Sequence, residues 1–378
     1  MKRHSRDSFF VVGEGVLEFD GKGEAITRQP STAEELRRFR FSRLGPKGPR
    51  TDEALREALA TAMTPDPQVP QPDSGDPAIP AGFTYLGQFV DHDLTMDRTE
   101  SQLGQDVNVD ELLQGRSPAL DLDSVYGRGP RDKDDQVFYA EDGVKLKTGT
   151  TSPAPFPPGD DGVNVPFEGF DLPRRGGTAG TPADRRAPLI PDPRNDENLV
   201  IAQTHLAFIR FHNRVVDELA LTGLTGDRLF RAAKELVVRH YQWMLKTDFL
   251  PRVVDPAIVE DVFTNGRKFF EVPGRHYGHG NTPTMPIEFS VASYRLGHSM
   301  IRDAYQWNRV FNATGPGGIA SLFLLFVFTG TSGNFDPSSG GAGDLDDVNR
   351  GNVFTLPSNW IADFRRLYDF TEADRDDL

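Results

Sequence analysis

The residues best suited to chemistry in this chain are histidines with charged company. His92 sits in GQFVDHDLT, between Asp91 and Asp93 and within an otherwise apolar stretch. Burying two carboxylates beside an imidazole is costly unless each finds a partner. On a helix residues step by about 100° around the axis, so Gln88 and His92, at i and i+4, share a face while Asp91 and Asp93 diverge to either side. One imidazole and two carboxylates can then serve three sites: a general base facing a cavity, a carboxylate at a cofactor edge and a carboxylate on a metal. The competing reading is a helix start with both carboxylates in solvent.

Three further clusters carry comparable signals. In SPALDLDSVYG (117–127), Ser117, Ala119, Asp121 and Asp123 alternate at i, i+2 spacing and can turn their oxygens to one side of an extended loop. That suits a hard cation such as calcium, which takes about 6 to 8 oxygen ligands. The spacing is not that of an EF-hand, and a turn with helix-capping Asp residues fits equally well. In PDPRNDEN (191–198), Arg194 and Glu197 form either an i, i+3 surface pair or an arginine aimed into a pocket. In EFSVASYRLGHSMIRDAY (288–305), Arg295 and His298 stand at i, i+3, and Gly297 leaves room for a flat ligand. Haem iron held by a histidine, with an arginine on a propionate, would use all three.

These clusters need elements to position them. Apolar spacing predicts a long buried helix over 196–221, and a second from Thr225 toward Pro251, which should end it. Shorter helices are predicted for Thr51 to Ala62, Phe83 to Leu94, Pro286 to Tyr305 and the stretch from Trp360. Ile319 to Phe328 reads as a buried helix or strand, about half of the ~20 residues a membrane span requires. Strand signals are confined to short pieces such as Phe9 to Leu17. With 37 Gly and 29 Pro, long irregular connections are expected, most clearly at 66–80 and 152–193. The fold class is therefore mainly α with very little β: one domain over 1–378 with an N-terminal extension over 1–50 and a Pro/Gly-rich internal loop over 152–193.

Composition removes several alternatives. There are 42 basic against 56 acidic residues and a net charge of −14, which disfavours nucleic acid. The chain has no cysteine, which excludes disulfides, iron–sulfur clusters and a thiolate-ligated haem. The apolar run at Phe9 to Val12 is too short for a secretory leader, so a cytoplasmic location is the default expectation, with leaderless export the alternative.

In this order, the four clusters resemble the signature set of the animal-type haem peroxidases of the peroxidase–cyclooxygenase superfamily, over about 82–369 of the chain. HLAFIRFHNRVVDEL (205–219), RHYQWMLKTDFLPR (239–252) and LPSNWIADFRRLYDF (356–370) resemble the bacterial members in particular. The resemblance implies helices around a buried haem b, with hydrogen peroxide and a small anionic or aromatic donor as partners. His92 then matches the distal base, Gln88 the residue that helps to position peroxide or halide, and Arg194 the distal arginine. His298 matches the iron ligand and Arg295 the arginine supporting it and a propionate. Asp91 and Glu197 match the carboxylates that form ester bonds to haem methyl groups. Asp93, Ser117, Ala119, Asp121 and Asp123 match the calcium site.

Two departures accompany the resemblance. Asn198 stands where myeloperoxidase carries the methionine of a third haem link, so no sulfonium bond is expected. Family members also continue past the equivalent of Leu378 and take from that continuation an Asn that accepts a hydrogen bond from the proximal histidine. Three readings follow: a truncated product, a substitute acceptor such as Asn352 or Asp363, or poor haem binding. The alternatives are a non-catalytic calcium-binding adhesive module and a fatty-acid dioxygenase. The first is opposed by retention of both histidines, the distal arginine and both ester carboxylates. The second needs a tyrosine near the proximal helix, for which Tyr294 and Tyr305 are nearest.

Overall fold

The computed structural model describes residues 8–11, 15–19, 25–28, 41–46, 48–64, 78–99, 105, 107–112, 114–116, 120–154, 165–266, 268–269, 285–330 and 354–370. Ser117, Ala119 and Asn352 lie outside the described residues. The helices are α1 (Glu53–Met63), α2 (Ala81–Leu94), α3 (Asp123–Tyr126), α4 (Pro182–Arg186), α5 (Leu199–Ala220), α6 (Gly226–Met244), α7 (Leu250–Val253), α8 (Pro256–Asn265), α9 (Ile287–Val291) and α10 (Leu322–Val327). The strands are short: β1 (Ser8–Val11), β2 (Gly15–Phe19), β3 (Ala25–Arg28), β4 (Phe41–Ser42), β5 (Gly149–Thr150), β6 (Glu168–Asp171), β7 (Met285–Pro286), β8 (Ala304–Tyr305) and β9 (Ala320–Ser321). β1, β2 and β3 form an antiparallel sheet, β4 pairs in parallel with β7, and β5–β6 and β8–β9 pair antiparallel.

The two long helices expected from periodicity are α5 and α6, packed on each other, with α2 lying on α5. Asn198 caps α5 by accepting from the Ile201 amide at 3.0 Å. α2 is buried along most of its length because it faces two cores. Phe89 stacks on Phe208 at 4.7 Å with Tyr241 edge-on to both, in the core of α5 and α6. Tyr85 faces the second core, built around Trp307, Phe311, Phe328 and Trp360.

Four expectations need correction, each for a local reason. Pro251 does not stop the second long helix. A π-helical turn, Leu245–Phe249, widens the backbone ahead of it, and α7 runs through Pro251 to Val253. The segment 286–305 is not one helix: α9 breaks at Ala292 (φ −127°, ψ −76°), a 3₁₀ helix follows over Ser293–Met300, and the chain then extends into β8. Trp360 starts no α-helix, because side chains take the carbonyls that a helix would use. Trp307 Nε1 donates to the Trp360 carbonyl, and Asn308 Nδ2 to those of Asn359 and Ile361. The described part of 152–193 is less irregular than its composition suggests, since it holds β6 and α4, the latter started by Pro182 and a Thr181–Asp184 capping box. Ile319 to Phe328 is both strand and helix, β9 leading into α10.

His212 shows how tightly α5 is tied to its surroundings. Its Nε2 donates to the Val144 carbonyl at 2.9 Å, and its Nδ1 lies 3.1 Å from the Tyr126 hydroxyl. Burial lowers its pKa from 6.5 to about 4. Between those values the unfolded chain binds a proton that the folded protein does not, so this group's contribution to stability falls as pH falls. Tm should therefore drop less between about pH 7 and about pH 5 in His212→Gln than in the wild type. Thermal melts across that range check this, and parallel curves would contradict it.

Candidate active site

A cavity of about 660 Å³ opens between α2, the turn at 193–198, α7 and the 3₁₀ helix at 293–300. Gln88, Asp91, His92, Arg194 and Glu197 line one part of it, Arg295 and His298 another, and Phe83, Phe249, Phe289 and Phe326 supply apolar wall.

His92 is buried on α2, and its Nδ1 lies 2.8 Å from Asn195 Oδ1. An amide oxygen only accepts, so Nδ1 carries the proton and Nε2 keeps its lone pair. Burial lowers its pKa to about 4, with nearby Arg194 adding to the effect. The imidazole is therefore neutral at physiological pH and able to take a proton. Arg194 is not half of a surface pair with Glu197. Asp192 holds it from Nε (3.0 Å) and Nη2 (2.7 Å), and Nη2 also donates to the His92 carbonyl at 3.1 Å. Gln88 donates to Glu197 at 3.2 Å and accepts from Asn198 at 3.1 Å, so Asn198 both caps α5 and orients Gln88. Burial raises the pKa of Glu197 and of Asp91.

On the opposite side the 3₁₀ geometry matters. With about three residues per turn, Arg295 and His298 at i, i+3 eclipse one another. His298 is exposed, and its Nδ1 lies 2.9 Å from the Arg295 carbonyl. That oxygen fixes the proton on Nδ1 and leaves Nε2 as the nitrogen able to ligate a metal. Nδ1 thus already has an acceptor within its own turn, where Asn352 or Asp363 was expected; Asn352 lies outside the described residues. Asp363 instead caps its own turn and pairs with Arg365 and Arg366. A side chain at Gly297 would meet only the Thr84 carbonyl, at 4.0 Å, so the room expected there is present. Arg295 reaches across to Asp91, 2.8 Å from Nη1 to Oδ2. The propionate role implied by the resemblance would require that pair to part. The lone-pair nitrogen, the flat apolar walls and the flanking guanidinium suit a haem.

Asp93 turns away from the cavity, as the helical geometry requires. It accepts from the Leu122 and Ser124 amides and from Ser124 Oγ, which places it at the start of α3. Carboxylate oxygens of Asp93, Asp121 and Asp123 lie within 4.8 Å of one another. Burial, reinforced by Asp121, raises the Asp93 pKa, and Asp121 Oδ1 is buried without a hydrogen-bond partner among the described residues. Leu120 and Leu122 hold left-handed backbone (φ 52° and 58°) to bring these acids together. Like charges gathered at such cost suit a hard cation. Of the tyrosines, Tyr294 lines the cavity and donates to the Gly87 carbonyl, whereas Tyr305 sits behind Tyr85.

Sequence reasoning passed over Asp192, Arg116, Asn195 and His205. Asp192 is the residue on which Arg194 depends, and it also takes two hydrogen bonds from the fully buried Arg116, at 2.8 and 3.1 Å. The paired guanidinium groups hold its carboxyl well below the usual range against the opposing effect of burial. Its position two residues before Arg194, at an N-cap, was the available signal. Arg116, distant in sequence, gave none.

A pocket with a tethered, neutral histidine on one wall and a second histidine with a free Nε2 on another offers one base and one metal-ligating nitrogen to the same space. The chain belongs to the animal haem peroxidase family, whose match covers residues 68–324. It is 29% identical to a "Peroxidase-like protein" of Margaritifera margaritifera over 64% of this chain and 33% of that protein. It is 27% identical to the thyroid peroxidase of Canis lupus familiaris over 51% of this chain and 20% of that protein. The chain thus spans a third or less of the length of these relatives. Among solved structures, peroxidase A of Dictyostelium discoideum aligns over 72% of this chain and 53% of its own, with a TM-score of 0.44 and 15% identity. Among the described residues no helix is long and apolar enough to cross a membrane.

Replacing Asp192 should expose its double role. Asp192→Asn takes from the buried Arg116 its nearest anion, with the Pro191 carbonyl at 3.4 Å and Asp123 at 4.0 Å among the groups that stay, a loss expected to cost up to about 3–5 kcal/mol. Denaturant unfolding measures it, and a change below about 1 kcal/mol would mean that Arg116 is held by other groups.

Proposed function

We propose that this chain is a haem-dependent peroxidase that reduces hydrogen peroxide and oxidises a small donor, a halide, pseudohalide or aromatic molecule. The observation that carries this reading is that His92 and His298 line one cavity from different elements, each with Nδ1 hydrogen-bonded and Nε2 free. Nε2 of His298 would hold the haem iron, and the haem would supply the two electrons that reduce peroxide to water and recover them from the donor. His92 Nε2 takes a proton from hydrogen peroxide and returns it to the departing oxygen. Arg194, fixed by Asp192, stabilises the negative charge that develops as the O–O bond lengthens. Gln88, held between Glu197 and Asn198, orients the peroxide or donor. Asp91 and Glu197 are the carboxyls that would be available for ester links to the haem, and for Asp91 the ion pair with Arg295 would have to part. Calcium held by Asp93, Asp121 and Asp123, whose carboxylate oxygens lie within 4.8 Å of one another, would tie α2 to the loop before α3.

The absorption spectrum of protein supplied with haem, recorded before and after peroxide, tests this directly. A Soret band that shifts with peroxide is expected, and a folded protein without one refutes the reading. His298→Ala should lose stable haem, whereas His92→Ala should keep haem and react with peroxide about 100-fold more slowly or worse. Calcium should raise the Tm of the wild type and leave Asp121→Asn unmoved; equal responses would remove the cation from the scheme.

A further inference from the structure

His205 lies on α5, fully buried, outside every role assigned above. Its Nδ1 is 2.9 Å from Asn195 Nδ2, while its Nε2 has no hydrogen-bond partner. Asn195 is equally buried, and its Oδ1 is the atom that meets His92 Nδ1 at 2.8 Å. Three side chains from three elements thus form one line from the core of α5 to the cavity. An imidazole in an apolar setting is expensive to desolvate, and its pKa is driven down to about 3. Packing alone would be better served by an apolar side chain. The single polar contact of this ring is the amide that holds His92.

A carboxamide has one accepting end and one donating end, so the two contacts of Asn195 are coupled. With Oδ1 toward His92, the proton of His92 sits on Nδ1 and Nε2 can act as a base toward the cavity. With the amide reversed, Nδ2 would meet His92, whose proton would move to Nε2 and block it. In that state His205 would have to donate from Nδ1. The choice made at His205 is therefore transmitted to the catalytic nitrogen of His92.

We propose that His205 is a positioning residue: by accepting from Asn195 Nδ2 it fixes the amide, and the amide holds His92 in the tautomer whose Nε2 faces the cavity unprotonated. This rests on the reading of His92 as the base, and the test separates the two. Long-range ¹H–¹⁵N correlation spectra of haem-free protein with ¹⁵N-labelled histidine distinguish protonated from bare ring nitrogens, with His92 assigned by its absence in His92→Gln. In the wild type, His92 should carry its proton on Nδ1. In His205→Phe, which keeps a ring but offers no acceptor, a large fraction should move to Nε2. His205→Asn places an oxygen near the site of Nδ1 and should restore the wild-type pattern. Asn195→Leu cuts the link at its other end, should give the same shift as His205→Phe, and serves if the larger ring unfolds α5. In haem-loaded protein, His205→Phe should slow the peroxide reaction by about 10-fold or more at unchanged haem content, with recovery in His205→Asn. A wild-type His92 protonated on Nε2, a His92 pattern unmoved in folded His205→Phe, or one unmoved in Asn195→Leu overturns the proposal. The tautomer is read without haem or turnover, so absent peroxide chemistry would count against the proposed function alone.

Discussion

Three consecutive polar side chains, Asp91, His92 and Asp93, are buried on one helix, and much of the site can be understood as the means of compensating that burial. Each desolvated group needs its own neighbour, and the helical step of about 100° sends the three in different directions. Asp91 meets Thr95 and Arg295, His92 meets Asn195, and Asp93 meets the first amides of α3. The compensation therefore comes from the 3₁₀ helix, from the turn before α5 and from the 120–124 loop. A single helix draws together segments separated by up to about 200 positions in the chain.

The same logic extends one layer outward. Arg194 is held by Asp192, and Asp192 is held ionised by Arg194 and Arg116 together. Gln88 is held by Glu197 and Asn198. The residues that face the cavity are fixed by neighbours that do not reach it, and positioning of this kind is what acid–base chemistry requires of a site. The His298 side is anchored differently, by a carbonyl of its own turn and not by a distant side chain. It is also the more exposed of the two sides.

Irregular backbone is concentrated where the site needs it. The π turn lets α6 continue into α7, whose Leu250 and Val253 line the cavity. The 3₁₀ helix aligns Arg295 with His298, and the left-handed leucines bend the acidic loop under Asp93. Each departs from the regular geometry that sequence patterns encode, and each is stabilised by contacts that exist only after packing.

The sequence by itself determined the two long helices and the mainly α class, because i, i+3 and i, i+4 spacing acts locally; for Gln88, Asp91, His92, Arg194, Glu197, Arg295 and His298, spacing left surface readings open, the resemblance to a known family singled them out, and the structure lines one cavity with them. The sequence could not show that Arg295 pairs with Asp91, that a backbone carbonyl serves His298, or that Arg116 and His205 support the site. Those depend on side chains brought together from distant parts of the chain, and no local pattern records them. Only the tertiary structure decided where helices stop as well: at Trp360 the carbonyls were taken by Trp307 and Asn308, and at Pro251 a wider turn removed the expected clash. Periodicity tells which face of a segment is apolar, whereas the hydrogen bonds that end or bend it are set by whatever packs against it.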